Sequence, residues 1–164
     1  MASGRLSEQM VVSFPFTETD IGGTNSAGSD DEVHWVDMRD YDTFMCVVEL
    51  GTWNSSDDLD TCKLEQASDS SGTGKKDLTT SGSGSTYDYD TDSPVDADGD
   101  QVILECRAED LDVDNDFRYV RVYLAETGNT GTDNVSAVYI RSNGRYVGYE
   151  ETGASSASRV YVEP

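Results

Sequence analysis

Carboxylates at alternate positions are the first side chains whose type and spacing could do chemistry. The segment from Asp110 to Asp116 carries an acid at every second residue. Calcium takes about six to eight oxygen ligands, and such a segment can supply several of them. An EF-hand also needs Gly at its sixth position and Glu at its twelfth, where this chain has Asn115 and Arg121. The segment is therefore not an EF-hand. It is either a solvated turn or a calcium site of another kind, with candidate ligands Asp112, Asp114 and Asp116.

The thiols and the single imidazole are the other reactive groups. Cys46, Cys62 and Cys106 form no C-x-x-C pair and have no metal-ligand spacing with His34. We expect the three cysteines to be buried free thiols, because cysteine behaves as a small hydrophobic residue in a core. Free thiols suit a reducing compartment. A catalytic thiol needs a histidine partner, and nothing pairs His34 with one, so we expect no enzymatic activity and no cofactor other than that calcium.

Net charge limits the classes of partner. The chain has 164 residues, with 33 Asp+Glu against 11 Lys+Arg, and a formal net charge of −22. Such a chain is repelled by nucleic-acid phosphates and by anionic membranes, so neither is expected as a partner. No apolar segment approaches the roughly 18 residues of a membrane helix, and residues 1–10 lack the apolar segment of a signal peptide.

The distribution of the acids points to the solvent. They are spread through most loop segments instead of forming one acidic tail. Their mutual repulsion destabilises a compact state at low salt, and at ~1 M salt a Debye length of about 3 Å screens it. We therefore expect a protein adapted to high salt; the alternative is an acidic protein from an ordinary environment.

Apolar residues recur with a period of two, so the elements that position these groups are predicted to be strands. Residues 44–50 place Phe44, Cys46, Val48 and Leu50 on one face. The same alternation predicts strands at 62–65, 101–108, 119–124 and 137–141, the last with Val138 and Ile140 facing inward. Weaker candidates are 9–16, 33–38 and 159–162. Asn143-Gly144 is a hairpin signal. These patterns predict an all-β fold, an antiparallel, jelly-roll-like β-sandwich of about seven to nine short strands, with an up-and-down barrel as the alternative.

Composition divides the chain into an arm and one domain. Residues 1–32 are expected to be a flexible N-terminal arm that contains a pairing strand at 9–16. Residues 33–164 are expected to form the single sandwich domain, with a Ser/Gly/Asp-rich insertion at 68–100. The apolar strand in the arm either completes the sheet of a neighbouring subunit or pairs within its own domain.

Candidate interface residues are the apolar positions of that strand and the scarce arginines of the second half. Arginine forms ion pairs within a fold or across an interface, so its placement among so many acids indicates where contacts concentrate. The candidates are Val11, Val12, Phe14, Phe16, Arg118, Arg121 and Arg145.

A series of motifs also suggests a family. In order, they are VDMRDYDTF (36–44), CKLEQASDSSGTGKKD (62–77), VILECRAEDLD (102–112), FRYVRV (117–122) and Arg145-Tyr146. This order resembles small proteins encoded among the head genes of tailed phages, whereas residues 1–35 and 78–100 depart from the pattern. The resemblance implies a β-sandwich protein of the virion, namely a capsid decoration (cement) protein or a minor capsid protein.

That resemblance sets the functional expectations. The partner is expected to be the major capsid protein, bound on the outer capsid surface by a homo-oligomer, for which we expect a trimer. The protein is expected on the virion surface after assembly in the host cytoplasm. The acidic composition adds a salt-loving host, such as a haloarchaeon. The alternatives are a turret, spike or adhesin module that binds host-surface glycans and, third, a glycan hydrolase.

Overall fold

The computed structural model of the chain describes residues 10–21, 34–54, 58–79, 95–127 and 133–144, with the side chains of 16–20, 58 and 127 left out. Short 3-10 turns at Ala108–Asp110 and Val113–Asn115 are its helical segments, and no helix among these residues is long and apolar enough to cross a membrane. The strands are β1 (Met10–Asp20), β2 (Val36–Asp37), β3 (Tyr41–Leu50), β4 (Asp58–Ala67), β5 (Lys76–Asp77), β6 (Gln101–Arg107), β7 (Tyr119–Thr127) and β8 (Asn134–Gly144).

These strands form two antiparallel sheets of four. Sheet A has the order β1-β8-β3-β6, and sheet B has the order β2-β7-β4-β5. The predicted all-β sandwich is confirmed, and the strand number falls within the expected range. Because the described strands make two separate sheets, they do not form the up-and-down barrel that was the alternative.

The arm strand belongs to the domain. β1 pairs along its length with β8 of the same chain, and register shifts interrupt the pairing on either side of Phe16. Of the two alternatives for this segment, the structure contains the one in which it completes its own sheet. The predicted strand at 159–162 and the centre of the insertion, residues 80–94, lie outside the described residues.

The core lies between the sheets and follows the predicted alternation in most strands. Phe44, Cys46, Val48 and Leu50 of β3 are at most 1% exposed. From β6 come Val102, Leu104 and Cys106, and from β7 come Val120, Val122 and Leu124. Burial of each such aliphatic side chain contributes about 1.5–3 kcal/mol, so this layer holds the two sheets together.

β8 faces the opposite way from the prediction. Val135, Ala137, Tyr139 and Arg141 are buried, whereas Val138 and Ile140 lie on the outer face and are half-buried. The prediction was wrong because it gave the inward face to the more hydrophobic of two alternating sets. In the folded chain the inward set holds Tyr139, whose large ring packs edge-on against Phe44 with centroids 5.0 Å apart.

Tyr139 also ties the two sheets together through a hydrogen bond. Its hydroxyl accepts the backbone N–H of Val122 in β7 at 2.8 Å. Strand β2 is short and pairs only with Tyr119 and Val120, so it does not extend along β7 as far as Val122. The tyrosine thus satisfies a backbone donor beyond the end of β2, which a buried N–H requires.

The three cysteines are buried and free, as expected. Burial raises the pKa of the Cys106 thiol to about 12 and that of Cys46 well above its ordinary value. A thiol is reactive as its thiolate, so these two are inert core groups near neutral pH.

Candidate functional site

The outer face of sheet B is charged and covered. Arg121 is 1% exposed, and its Nε and Nη2 donate to Oε2 of Glu65 at 2.9 and 2.7 Å. The indole ring of Trp35 lies 4.5 Å from the guanidinium carbon and closes the pair off from solvent. Arg121 was an interface candidate, and the structure places it in the interior of the domain instead.

The loop that joins β4 to β5 completes this cover. Asp69 accepts the backbone N–H groups of Ser71 and Thr73. A hydrogen bond from the Thr73 side chain, followed by these two backbone bonds, lowers the pKa of its carboxyl group. Gly72 has a φ of +77°, and a Cβ there would stand 2.8 Å from the indole nitrogen of Trp35. The D-x-S-G-T-G motif, residues 69–74, therefore forms a tight turn that packs against Trp35.

Asp112 anchors the next turn to the same loop. Lys76 donates to one of its carboxylate oxygens and Asn115 to the other, and the Asp112 N–H donates to Gln66 at 2.8 Å. The bond from Lys76, followed by that from Asn115, lowers the pKa of this carboxyl group. The motif residues Gln66, Lys76 and Asp112 thus have structural roles.

The candidate calcium ligands do not converge. Asp114 and Asp116 are exposed on the turn, while the Asp112 carboxylate is held by Lys76 and Asn115. Within the described part of the chain, no three His, Cys, Asp or Glu residues lie together in a way that could hold a metal ion. The alternating acids form the turn that was the alternative interpretation.

The outer face of sheet A is apolar. In register across the sheet, Val47 of β3 lies between Val138 and Ile103. Ile140 lies in the same way between Val12 and Met45. We define the apolar face as Met10, Val12, Met45, Val47, Ile103, Val138 and Ile140, none of which belongs to the core cluster.

The exposure of this face is unusual for so acidic a chain. Ile103 is 58% exposed, and the other members are half-buried because neighbours on the sheet cover one another. Four strands about 4.8 Å apart, each about seven residues long, present an outer face of about 450 Å² in all, of which the apolar side chains hold a part. The largest apolar patch on a monomer, about 300–600 Å², is often functional. Among the described residues of these strands, its carboxylate neighbours are Glu49 and Glu105.

A cleft of about 730 Å³ borders the apolar face. Arg39, Arg107 and Arg118 line it, which is three of the chain's 11 Lys+Arg. Thr43 and Arg107 also line a smaller groove of about 490 Å³ on the apolar face, so the two features are continuous. The cleft with the apolar face forms one candidate binding surface.

Two of the cleft arginines share one carboxylate. Arg39 Nη2 lies 2.7 Å and Arg118 Nε 3.6 Å from Oδ2 of Asp37. Burial alone would raise the pKa of Asp37, but its bonds to Arg39 and the charges of both arginines lower it. The third arginine, Arg107, donates to Glu109 at 3.1 Å.

The other predicted interface residues are distributed unevenly. Val11 is 7% exposed and packs in the core, and Val12 is on the apolar face. Phe14 is 47% exposed on β1, and Arg118 lines the cleft. The side chain of Phe16 and all of Arg145 lie outside the described residues.

Sequence reasoning missed most of the apolar face and the cleft arginine Arg39, whereas Arg107 and Arg118 were among the scarce arginines of the second half. A signal for the face was present, because residues 44–48 and 137–140 are apolar at both alternate positions. A segment that is apolar at both alternate positions is typical of a strand that has a partner on each face. Nothing in the spacing of Arg39, Arg107 and Arg118 indicates that they meet, since they come from three separate segments.

Comparison with protein-family models, curated proteins and solved structures finds no match to this chain. These comparisons therefore provide no link to the phage head proteins that the motifs resemble.

Proposed function

We propose that the chain is a structural protein of a virion, a decoration or minor capsid protein that binds the outer capsid surface and stabilises the shell in high salt. The observation that carries this proposal is the apolar face of sheet A. It is a solvent-facing apolar surface on a chain that otherwise places acids over its loops. An exposed apolar surface of this kind is typical of a protein that binds a partner through that surface.

The strand order supports the same class. A chain folded as one long hairpin and wrapped into two sheets pairs β1 with β8, β2 with β7, β3 with β6 and β4 with β5, and all four pairings occur. We propose that this sandwich is a jelly roll, a fold of viral capsid and lectin domains. Fold alone does not fix function, so this is support by analogy.

The proposed mechanism is non-covalent. The apolar face packs on the major capsid protein, while the acidic loops face the brine. A standard interface buries about 800 Å² per partner, and one face offers about 450 Å². A single face is therefore small for a stable contact, which favours a homo-oligomer. We propose a trimer on the virion surface after assembly in the host cytoplasm.

The test uses particles from a virus in which this gene is deleted. Purified protein is added back, and bound copies per particle are counted by electron cryomicroscopy. We expect Ile103→Asp to weaken binding by at least about tenfold, which is about 1.4 kcal/mol. The matched control is Thr61→Asp on the outer face of sheet B, which should bind like the wild type.

Two results would overturn the proposal. One is Ile103→Asp protein that is folded by circular dichroism and decorates shells as well as the wild type does. The other is that particles made without the protein resist dilution of salt equally well and lack no surface density.

A second candidate is a turret, spike or adhesin module that binds host-surface glycans. The cleft favours it, because its volume lies in the range of about 300–1,000 Å³ that small-ligand sites occupy. Binding of the purified protein to a panel of host glycans, with loss on Arg118→Gln, would select this candidate.

A further inference from the structure

The cleft concentrates arginine side chains on a chain that has few of them. Its charged groups are Arg39, Arg107 and Arg118 against Asp42, Glu109 and the adjacent Asp37, so the two signs are balanced there. On a chain of net charge −22, a cleft without a negative excess differs from the average surface. Electrostatic complementarity of this kind selects the partner and its orientation.

The three guanidinium groups remain available to a ligand. The side chains of Arg39, Arg107 and Arg118 are 59%, 69% and 44% exposed. Each guanidinium has five N–H donors, and the ion pairs described above occupy one or two of them. A planar guanidinium binds a carboxylate through two parallel hydrogen bonds, so these are fitted to carboxylates in particular.

The surroundings of the cleft favour a polypeptide ligand. Met38 and Val113 line it, Val113 is 57% exposed, and the cleft runs through Thr43 and Arg107 onto the apolar face. An extended peptide that alternates acidic and apolar side chains matches both features. No aromatic ring is among the residues that line the cleft, so a sugar ring has no stacking surface there.

We propose that this cleft binds an extended, carboxylate-bearing segment of the protein on which sheet A docks. The inference rests on the proposed function for its partner and adds the chemistry of the contact. Arg39 and Arg118 hold one carboxylate where they already share Asp37, and Arg107 holds another at the end of β6.

The probe is a dye-labelled ten-residue peptide of alternating Glu and Val, with a Gln and Val peptide as its neutral match. Binding is measured by fluorescence anisotropy at a salt concentration where circular dichroism finds the protein folded. Loss of a charged hydrogen bond weakens binding by about tenfold or more. We therefore expect Arg107→Gln and the double variant Arg39→Gln/Arg118→Gln each to bind the Glu peptide at least about tenfold more weakly.

Controls separate a site from general attraction. Lys75→Gln removes an exposed cation in the β4–β5 loop, outside the cleft, and should change binding by less than about twofold. Arg107→Lys keeps the charge but not the paired hydrogen bonds, and it should bind between wild type and Arg107→Gln. Arg107 is highly exposed at the end of its strand, so its variants are expected to fold even if the double variant does not.

Several results would overturn the inference. They are no measurable binding of the Glu peptide, equal binding of the Gln peptide, or an equal loss with Lys75→Gln. Displacement of the peptide by oligogalacturonate or inorganic phosphate at lower concentration than by unlabelled Glu peptide would also overturn it. No capsid enters this experiment, so its failure is distinguishable from failure of the particle-binding test.

Discussion

Glu65 and Arg121 form a buried ion pair, and the stability of the fold depends on both partners being present. Removal of one member of such a pair leaves the other charge buried without compensation, which typically costs about 3–5 kcal/mol. We expect Glu65→Gln to lower the free energy of unfolding by about 3 kcal/mol. The measurement is urea unfolding at one fixed salt concentration.

The paired variant shows where that loss comes from. Glu65→Leu/Arg121→Met replaces both charges with apolar groups and should lose much less than Glu65→Gln alone. A double variant less stable than Glu65→Gln would mean that the charges themselves stabilise the fold. The loss in Glu65→Gln would then not come from the uncompensated charge of Arg121.

Tyr139 makes stability sensitive to alkaline pH. Burial, with a smaller contribution from Cys46, raises the pKa of its hydroxyl well above its ordinary value. The folded state therefore favours the neutral phenol, so this contribution is complete below about pH 10 and is lost as the pH rises above it. Tyr139→Phe should lower the free energy of unfolding by about 1–3 kcal/mol at pH 7, because the N–H of Val122 loses its acceptor.

The same variant should lose stability less steeply than the wild type above pH 10. Thermal unfolding of both proteins between pH 7 and pH 11 measures the difference. Parallel decline of the two curves would mean that Tyr139 is not the group responsible.

Among the elements, the β4–β5 hairpin depends on one glycine for its contact with Trp35. Gly72 and Gly99 both have positive φ, at +77° and +83°, but only Gly72 is crowded by the indole. Gly99→Ala should cost about 1 kcal/mol for the backbone alone. Gly72→Ala should cost at least about 1 kcal/mol more, because the ring that covers Arg121 must shift.

Urea unfolding of both alanine variants checks this comparison, and near-ultraviolet circular dichroism reports on the tryptophan environment. Equal destabilisation of the two variants, with unchanged tryptophan signals, would contradict the role given to the Gly72 contact.

For the elements, the sequence predicted well where the strands lie and less well which face of each strand is directed to the core. The period of two located β3, β6 and β7 and their buried residues, because a charged residue marks the outer face of each, namely Glu49, Glu105 and Arg121. In β8 both faces are apolar, so hydrophobicity could not decide between Tyr139 and Ile140. Pairing with β3 and packing against Phe44 decide it, and neither is visible in a local pattern.

For the whole molecule, the net charge of −22 predicts a stability that rises with salt. Between ~10 mM and ~1 M sodium chloride the Debye length falls from about 30 to about 3 Å, and repulsion among the acids is screened. We expect the Tm to rise by at least about 5 °C, or roughly 1–2 kcal/mol for a domain of this size.

Differential scanning calorimetry in sodium chloride and in potassium chloride at equal ionic strength checks this, since screening does not depend on the cation. A protein that is most stable at ~10 mM salt would contradict the expected adaptation to brine.

The candidate binding surface was the part least accessible from sequence. Arg118 and Val12 were foreseen as contact residues. Arg107 was foreseen only as one of the scarce arginines of the second half. Arg39 was not foreseen, because it meets the other two only after the β2–β3 turn and the end of β6 come together. Likewise, strand register brings three apolar side chains into one row across the sheet, namely Val47, Val138 and Ile103. The pattern of a single strand contains no information about this register.

The contrast between the two sides of the sandwich has a consequence for growth under the proposed function. A molecule that docks through its apolar side settles on a surface in a single orientation. It then presents to later arrivals the outer side of sheet B, whose charges are already paired and covered, so a second layer does not form. Coverage of this kind ends at a monolayer without any separate factor to stop it.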